Sequence, residues 1–407
     1  MRRLLFVSPV HPHPLDRGQN VRIQEELRAC RRDHEVTLVV PRPEPGVSLV
    51  EVERLADRVV YAEAPTEPAS WRHVLSFARR HRRLRRPEVV GQLAAFEAVL
   101  DQVHPGLFDL VWLERTMLTV LLRAGRDRLV VDLDDLEYRK SWRAATSRSS
   151  QFSWGARLQH LYYAGRFLLP EALGTRGARA AVVASPTDAA HLARLTRRIV
   201  TVVPNGVDVP ARRPPRPGVR SGRAVFLGNL AYSANTDALE LLRDEVLPTL
   251  RREGWPGTVH VIGGGATPKL REAHPEAVFH GYVDDLAAAL REFDVLLAPL
   301  RLGGGTKLKV LDAMGQGLPV VTTPVGAEGL GLEDGVSALI GRNAEQLAHA
   351  VLRLERDPDL PDKLAAQAFA QAQRMSWQRV RQDLADRLVD WEVAAQEPRL
   401  RRSSSWR

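Results

Sequence analysis

The run Gly303-Gly304-Gly305-Thr306-Lys307-Leu308-Lys309-Val310-Leu311-Asp312-Ala313-Met314 decides how this chain is read. An apolar segment, Asp294-Val295-Leu296-Leu297-Ala298-Pro299-Leu300, precedes it, and another, Leu318-Pro319-Val320-Val321-Thr322-Thr323, follows. Both are continuous apolar runs of strand length, as expected of strands covered on both faces. A glycine-rich loop therefore opens a short helix between two parallel strands. Unpaired backbone N–H groups at such a helix start, with Lys307 beside them, suit a diphosphate. Asp312, one to two helical turns further on, suits ribose hydroxyls. The loop is not a P-loop, because no glycine directly precedes Lys307 and Leu308 follows it.

The same alternation fills the rest of the chain. Candidate strands are Leu4–Val10, Glu35–Val40, Asp109–Glu114, Leu129–Leu133, Ala180–Ser185 and Ile199–Val203, then Arg223–Gly228, Thr258–Ile262, Ala277–Tyr282, Asp294–Leu300, Pro319–Thr323 and Ser337–Ile340. Amphipathic segments lie between them, so the fold class is α/β with parallel sheets. The 407 residues exceed one core. The Pro- and Arg-rich stretch before Arg223 places the division: a first Rossmann-like domain over 1–204, a linker over 205–222 and a second domain over 223–375. Ser376 reads as the N-cap of a last helix, 376–397, whose Trp377, Val380, Leu384, Leu388 and Trp391 form one stripe. The basic tail 398–407 reads as disordered. Two such domains facing across a cleft would hold two substrates, one on each, which suggests group transfer.

The net charge of +9 calls for an anionic partner, or reflects arginine-rich composition. Cys30 is the single cysteine, which excludes an internal disulfide or a Cys-based metal site and fits a reducing compartment. No apolar stretch approaches the ~20 residues that span a bilayer. A cytoplasmic protein, soluble or peripheral at the membrane's inner face, is expected.

Val203-Pro204-Asn205-Gly206-Val207-Asp208 resembles the hinge-proximal signature of GT-B glycosyltransferases of family 4. The resemblance extends to Leu5–Pro9 with Asp16–Arg22, to Phe226-Leu227-Gly228-Asn229-Leu230, to Val261–Gly265, to His280–Leu286 and to Pro299–Gly331. It implies an acceptor domain, a nucleotide-sugar donor domain and a final helix crossing back to the first domain. It also implies retention of anomeric configuration, with no metal and no cofactor besides the nucleotide diphosphate sugar itself. The implied donor-binding residues are Gly18, Gly228, Asn229, Gly264, Tyr282, Gly304, Gly305, Thr306, Lys307 and Asp312. One departure stands out. Relatives carry two glutamates eight positions apart; Asp312 takes the later place and Gly304 the earlier, so the sugar contact is lost or replaced.

Lys307 is the first choice to neutralise the departing diphosphate, with Lys309 second. Val130-Val131-Asp132-Leu133-Asp134-Asp135 holds an Asp-x-Asp, read as a strand end rather than a metal site. Asp134 stands where relatives have a histidine and is the candidate for orienting the acceptor hydroxyl. Arg22 is a surface arginine or a cleft residue. Gly264 and Tyr282 are a strand-end turn and a core aromatic, or lie near the base. His11 and His13 are loop histidines or cleft groups. The basic stretches Arg72–Arg86 and Arg139–Arg179, the second with Trp142, Phe152, Trp154, Tyr162, Tyr163 and Phe167, are helical faces with core aromatics or an anionic membrane interface. No nucleic-acid motif is present.

The leading expectation is a glycosyltransferase of the hexosyltransferase type, moving a sugar to an acceptor hydroxyl. That acceptor is a glycan, a lipid-linked glycan or a small molecule, in glycan or glycolipid assembly at the membrane surface. The alternatives are a nucleotide-sugar hydrolase or epimerase of the same fold, and a non-catalytic nucleotide-sugar-binding scaffold.

Overall fold

The computed structural model describes residues 2–14, 18–43, 49–63, 70–81, 87–122, 125–147, 149, 152–215 and 222–403. The chain divides into two units. The first contains Met1–Asp135, Phe167–Val203 and Gln378–Arg407; the second contains Leu136–Arg166 and Pro204–Trp377.

The first unit is built on β1 (Arg2–Val7), β2 (His34–Pro41), β3 (Arg58–Ala62), β4 (Leu110–Glu114), β5 (Leu129–Asp132), β6 (Ala180–Val183) and β7 (Thr201–Val202). They form one sheet in the order β3-β2-β1-β4-β5-β6-β7, every neighbour pair parallel. The helices between and around these strands are, in chain order, α1 (Gly18–Cys30), α2 (Leu49–Glu53), α3 (Trp71–His81), α4 (Pro87–Val103), α5 (Glu137–Thr146), α6 (Trp154–Gly174) and α7 (Pro186–Thr196). Of these, α5 and the start of α6 belong to the second unit. Leu4, Leu5, Phe6 and Val7 are fully buried, and Phe6 stacks on Trp112 of β4 at 5.9 Å. A strand apolar at consecutive positions needs cover on both faces, which helices on either side supply.

The second unit is built on β8 (Arg223–Leu227), β9 (Thr258–Ile262), β10 (Ala277–Gly281), β11 (Val295–Ala298), β12 (Val320–Thr322) and β13 (Leu339–Ile340). The order is β10-β9-β8-β11-β12-β13, again all parallel. Its helices are α8 (Ser233–Leu241), α9 (Leu247–Arg252), α10 (Pro268–Glu272), α11 (Leu286–Leu290), α12 (Leu308–Gly315), α13 (Ala344–Arg356) and α14 (Leu360–Arg374). One core joins Val225 and Phe226 of β8, Leu296 and Leu297 of β11, Val310, Leu311 and Met314 of α12 and Leu347 and Val351 of α13. Both sheets are doubly wound α/β sheets.

The last helix, α15 (Trp377–Ser403), leaves the second unit at Trp377 and returns to the first. There Glu392 accepts from His34 Nε2 at 2.6 Å and from Arg2 Nη1 at 2.7 Å. The helix takes in residues 398–403, which the sequence reads as tail; Leu400 with Arg399, Arg401 and Arg402 are good helix formers. Residues 404–407 lie outside the described residues. Every strand expected from the sequence has a counterpart, and β3 is additional.

Candidate functional site

In a doubly wound sheet the strand ends at the reversal of strand order leave a crevice for ligands. In the second unit that reversal falls between β8 and β11. Gly228 and Asn229 follow β8, Gly263 to Gly265 follow β9, Tyr282 follows β10, and the glycine-rich loop follows β11. Parallel pairing puts all four connections at one edge of the sheet.

The loop is fixed from within and from both sides. Gly303 and Gly305 adopt φ of 109° and 55°, a region glycine enters without steric cost. Lys307 is the N-cap of α12, and its carbonyl accepts from Val310 N at 2.9 Å and Leu311 N at 3.1 Å. The Lys307 side chain is buried, and its Nζ donates to Gly304 O and Gly305 O, both at 2.8 Å. The ammonium thus closes the turn that precedes it. Thr306 Oγ1 accepts from Asn205 Nδ2 at 3.0 Å. Ahead of the loop, Arg301 grips the fully buried Asp237 of α8 with two bonds, Nε to Oδ2 at 3.1 Å and Nη2 to Oδ1 at 2.8 Å.

Lys309 points to the end of β8. Its Nζ donates to Asn235 Oδ1 and lies 4.5 Å from the Phe226 ring centroid. A Cβ on Gly228 would fall 2.5 Å from Lys309 Nζ and 2.6 Å from Asn235 Nδ2, so a side chain there would displace the tips of both. Asn235 Nδ2 donates to Asn229 O at 2.6 Å, and Asn229 Oδ1 accepts from Ala231 N at 2.9 Å. Burial, helped by Lys307, pushes the Lys309 ammonium down to about 7, with Asp312 opposing. Burial and the charge of Asp208 push the Asp312 carboxyl up to about 7. A Cβ on Gly264 would meet open space, and Tyr282 is 72 % exposed, so Tyr282 is not a core aromatic.

A contribution from α5 went unread in the sequence. Arg139 and Arg143 pair with Glu328 at 3.0 and 2.9 Å, and Arg143 also donates to Gly303 O. Burial works against the Glu328 charge, but the Arg143 hydrogen bond, with Lys307 and Arg139, holds its pKa below the usual range. A segment that precedes the linker in sequence thus braces the glycine-rich loop. No spacing rule reveals a pair 185 residues apart.

In the first unit, Gly18 opens α1 after β1. Arg22, one turn on, is neither a surface nor a solvent-lining residue but fully buried. Its guanidinium meets Asp132 and Glu26 at 2.8 Å each, Asp134 at 3.8 Å and Val203 O at 2.9 Å. Glu26, Glu114 and Asp132 bring carboxylate oxygens within 4.8 Å of one another around it. Burial pushes Glu26 well above its usual range and Glu114 up to about 7. Asp134, at φ 58°, stands beyond β5, 3.4 Å from Arg115, and burial with Asp135 raises its pKa against Arg22 and Arg115. His11 is buried, with Nδ1 3.0 Å from His13 O, and burial lowers its pKa. Trp142, Trp154 and Tyr162 are exposed, while Phe152 packs beside Ala144, Ala234 and Leu302. Residues 82–86 of the first basic stretch lie outside the described residues.

Residues 221–357 match the family described as Glycosyl transferases group 1. A phosphatidyl-myo-inositol mannosyltransferase of Mycolicibacterium smegmatis is 30% identical over 187 residues, covering 43% of this chain and 48% of that protein. The chain spans about half the length, or less, of the curated relatives it matches. Among solved structures, sucrose-phosphate synthase of Thermosynechococcus elongatus aligns over 97% of this chain and 100% of its own, with TM-score 0.73 and 16% identity. Anabaena HepE, solved with UDP and glucose, aligns over 96% and 100%, with TM-score 0.62 and 16% identity. The fold is therefore the GT-B fold, and the segment that matches glycosyl transferases group 1, residues 221–357, is the one that carries the loop and both lysines.

Proposed function

We propose that the protein is a glycosyltransferase that takes a sugar from a nucleotide diphosphate sugar and places it on an acceptor hydroxyl, with retention of anomeric configuration. The observation that carries the reading is the meeting of Lys309, Asn235 and Gly228 at the reversal of strand order, beside the amides that open α12. An ammonium held near neutrality gains its charge when an anion arrives, and preorganised donors stabilise the charge that builds on a leaving diphosphate. In the reaction the bond from the anomeric carbon to the diphosphate oxygen breaks. A bond to the acceptor oxygen forms, and the acceptor proton passes to the departing phosphate.

In this reading Lys309 faces the diphosphate, and Lys307 shapes the loop whose amides reach it. Asp312 holds the ribose, Gly264 and Tyr282 border the base, and Asp134 in the first unit orients the acceptor. HepE's complex with UDP-glucose supports a nucleotide-sugar donor. The mannosyltransferase relative and the basic, aromatic α5–α6 segment support an acceptor in glycan or glycolipid assembly, met at the inner face of a membrane.

Thermal unfolding with UDP, GDP, ADP, CDP and dTDP tests the donor site. One nucleotide is expected to raise the transition of the wild type, by about 2.7 kcal/mol of apparent stability at a hundredfold excess over Kd. Lys309→Ala is expected to lose most of that gain. No stabilisation by any of the five at millimolar concentration sinks the reading, and donor turnover without any acceptor makes the protein a hydrolase instead.

A further inference from the structure

The outward face of α6 is apolar, the reverse of a helix packed on a water-facing domain. At 3.6 residues per turn, Trp154, Leu158, Leu161, Tyr162 and Gly165 fall within an arc of about 100°. On it Trp154 is 73 % exposed, Leu158 50 %, Leu161 40 % and Tyr162 61 %. Ala164, beyond the arc on the Arg157 side, is buried. Arg157 and Arg166 flank the arc, one on each side. Arg157 donates to Phe152 O at 3.2 Å and Ser149 O at 3.0 Å, and Arg166 to the Tyr162 hydroxyl at 3.4 Å. Among the described residues neither is ion-paired. From residue 138 to residue 170 the sequence has no Asp or Glu, while Arg139, Lys140, Arg143, Arg148, Arg157 and Arg166 lie within it.

We propose that this face of α6 seats the protein on an anionic lipid bilayer. Trp154, Leu158, Leu161 and Tyr162 enter the interfacial layer, and Arg157 and Arg166 lie against headgroup phosphates. Charge selects this occupant. A second copy of the same helix would bring unpaired arginines against unpaired arginines, whereas phosphates neutralise them. Trp and Tyr, each with an apolar body and a polar edge, are the residues that collect at the headgroup level. The inference deepens the membrane reading given above and rests on it; it is independent of the donor site.

The full chain is sedimented with phosphatidylcholine vesicles and with vesicles containing phosphatidylglycerol. The wild type is expected on the anionic vesicles only, and less so at high salt. Trp154→Ser, Leu158→Ser and Leu161→Ser combined are expected to weaken partitioning by at least about tenfold, with the thermal transition and nucleotide response unchanged. Should the triple variant unfold, Trp154→Ser alone is read in the same way. Equal partitioning of the folded variant and the wild type overturns the α6 assignment and leaves the membrane reading standing. No partitioning of a wild type that still binds nucleotide overturns both. A lipid-free dimer that the triple variant converts to monomer gives the face to a second copy and also overturns the proposal.

Discussion

Lys309 and Asp312 sit three residues apart near the start of α12, the ammonium pushed down and the carboxyl pushed up, each to about 7. For Lys309 the folded value lies below the ordinary lysine value of 10.5. The unfolded chain therefore holds that proton over a range in which the folded protein has released it, and this group's contribution to stability rises with pH from about 7 to 10.5. A bound diphosphate reverses the preference and draws the proton back. Diphosphate affinity is expected to fall as pH rises through about 7, with proton uptake visible by calorimetry in buffers of different ionisation enthalpy. A pH-independent affinity would contradict this, and Lys309→Met is expected to abolish the dependence. Arg22 is the other decisive residue. Its partner Asp132 is 110 positions away, so the sequence shows an arginine early in a helix and nothing of its burial. Arg22→Ala leaves Asp132, Glu26 and Glu114 crowded without a cation and is expected to cost about 3–5 kcal/mol in a denaturant titration.

At the scale of elements, most strands were legible because they are unbroken apolar runs between turn residues, as in Leu296-Leu297-Ala298. The overlooked strand shows the limit. β3, Arg58-Val59-Val60-Tyr61-Ala62, lies at the sheet edge and is mostly half-buried, so its apolar run is short and bounded by charge. The loop before α12 was legible as a glycine-rich turn that opens a helix between two parallel strands, but not the aim of its lysines. That depends on Gly228 at the end of β8 and Asn235 in the first turn of α8. The grip of Asp237 on Arg301 was equally hidden, since an aspartate in a helix usually faces water. Asp237→Ala leaves Arg301, at the root of the loop, with only the longer 3.9 Å pair to Glu245 among the described residues. Nucleotide-dependent stabilisation is expected to shrink in that variant while the fold, by circular dichroism, persists; an unchanged nucleotide response would show that the loop keeps its shape without the pair.

On the scale of the whole molecule, chain order and unit membership part company twice. Leu136–Arg166 joins the second unit before the linker is reached, and Gln378 onward rejoins the first after the second is complete. Charge and Pro content mark the linker; nothing in the composition of α5 marks its allegiance, because Arg139 and Arg143 look like surface charge until Glu328 is beside them. Cys30 gains a use from this division. It is the chain's single thiol, fully buried at the end of α1, and burial with the nearby Glu114 raises its pKa far out of the reactive range. An alkylating reagent therefore reaches it only when the first unit opens. Labelling of the unmodified protein is a clock for one unit alone: Arg22→Ala is expected to speed it in step with the lost stability, and nucleotide at the second unit to slow it only as far as the two units open together.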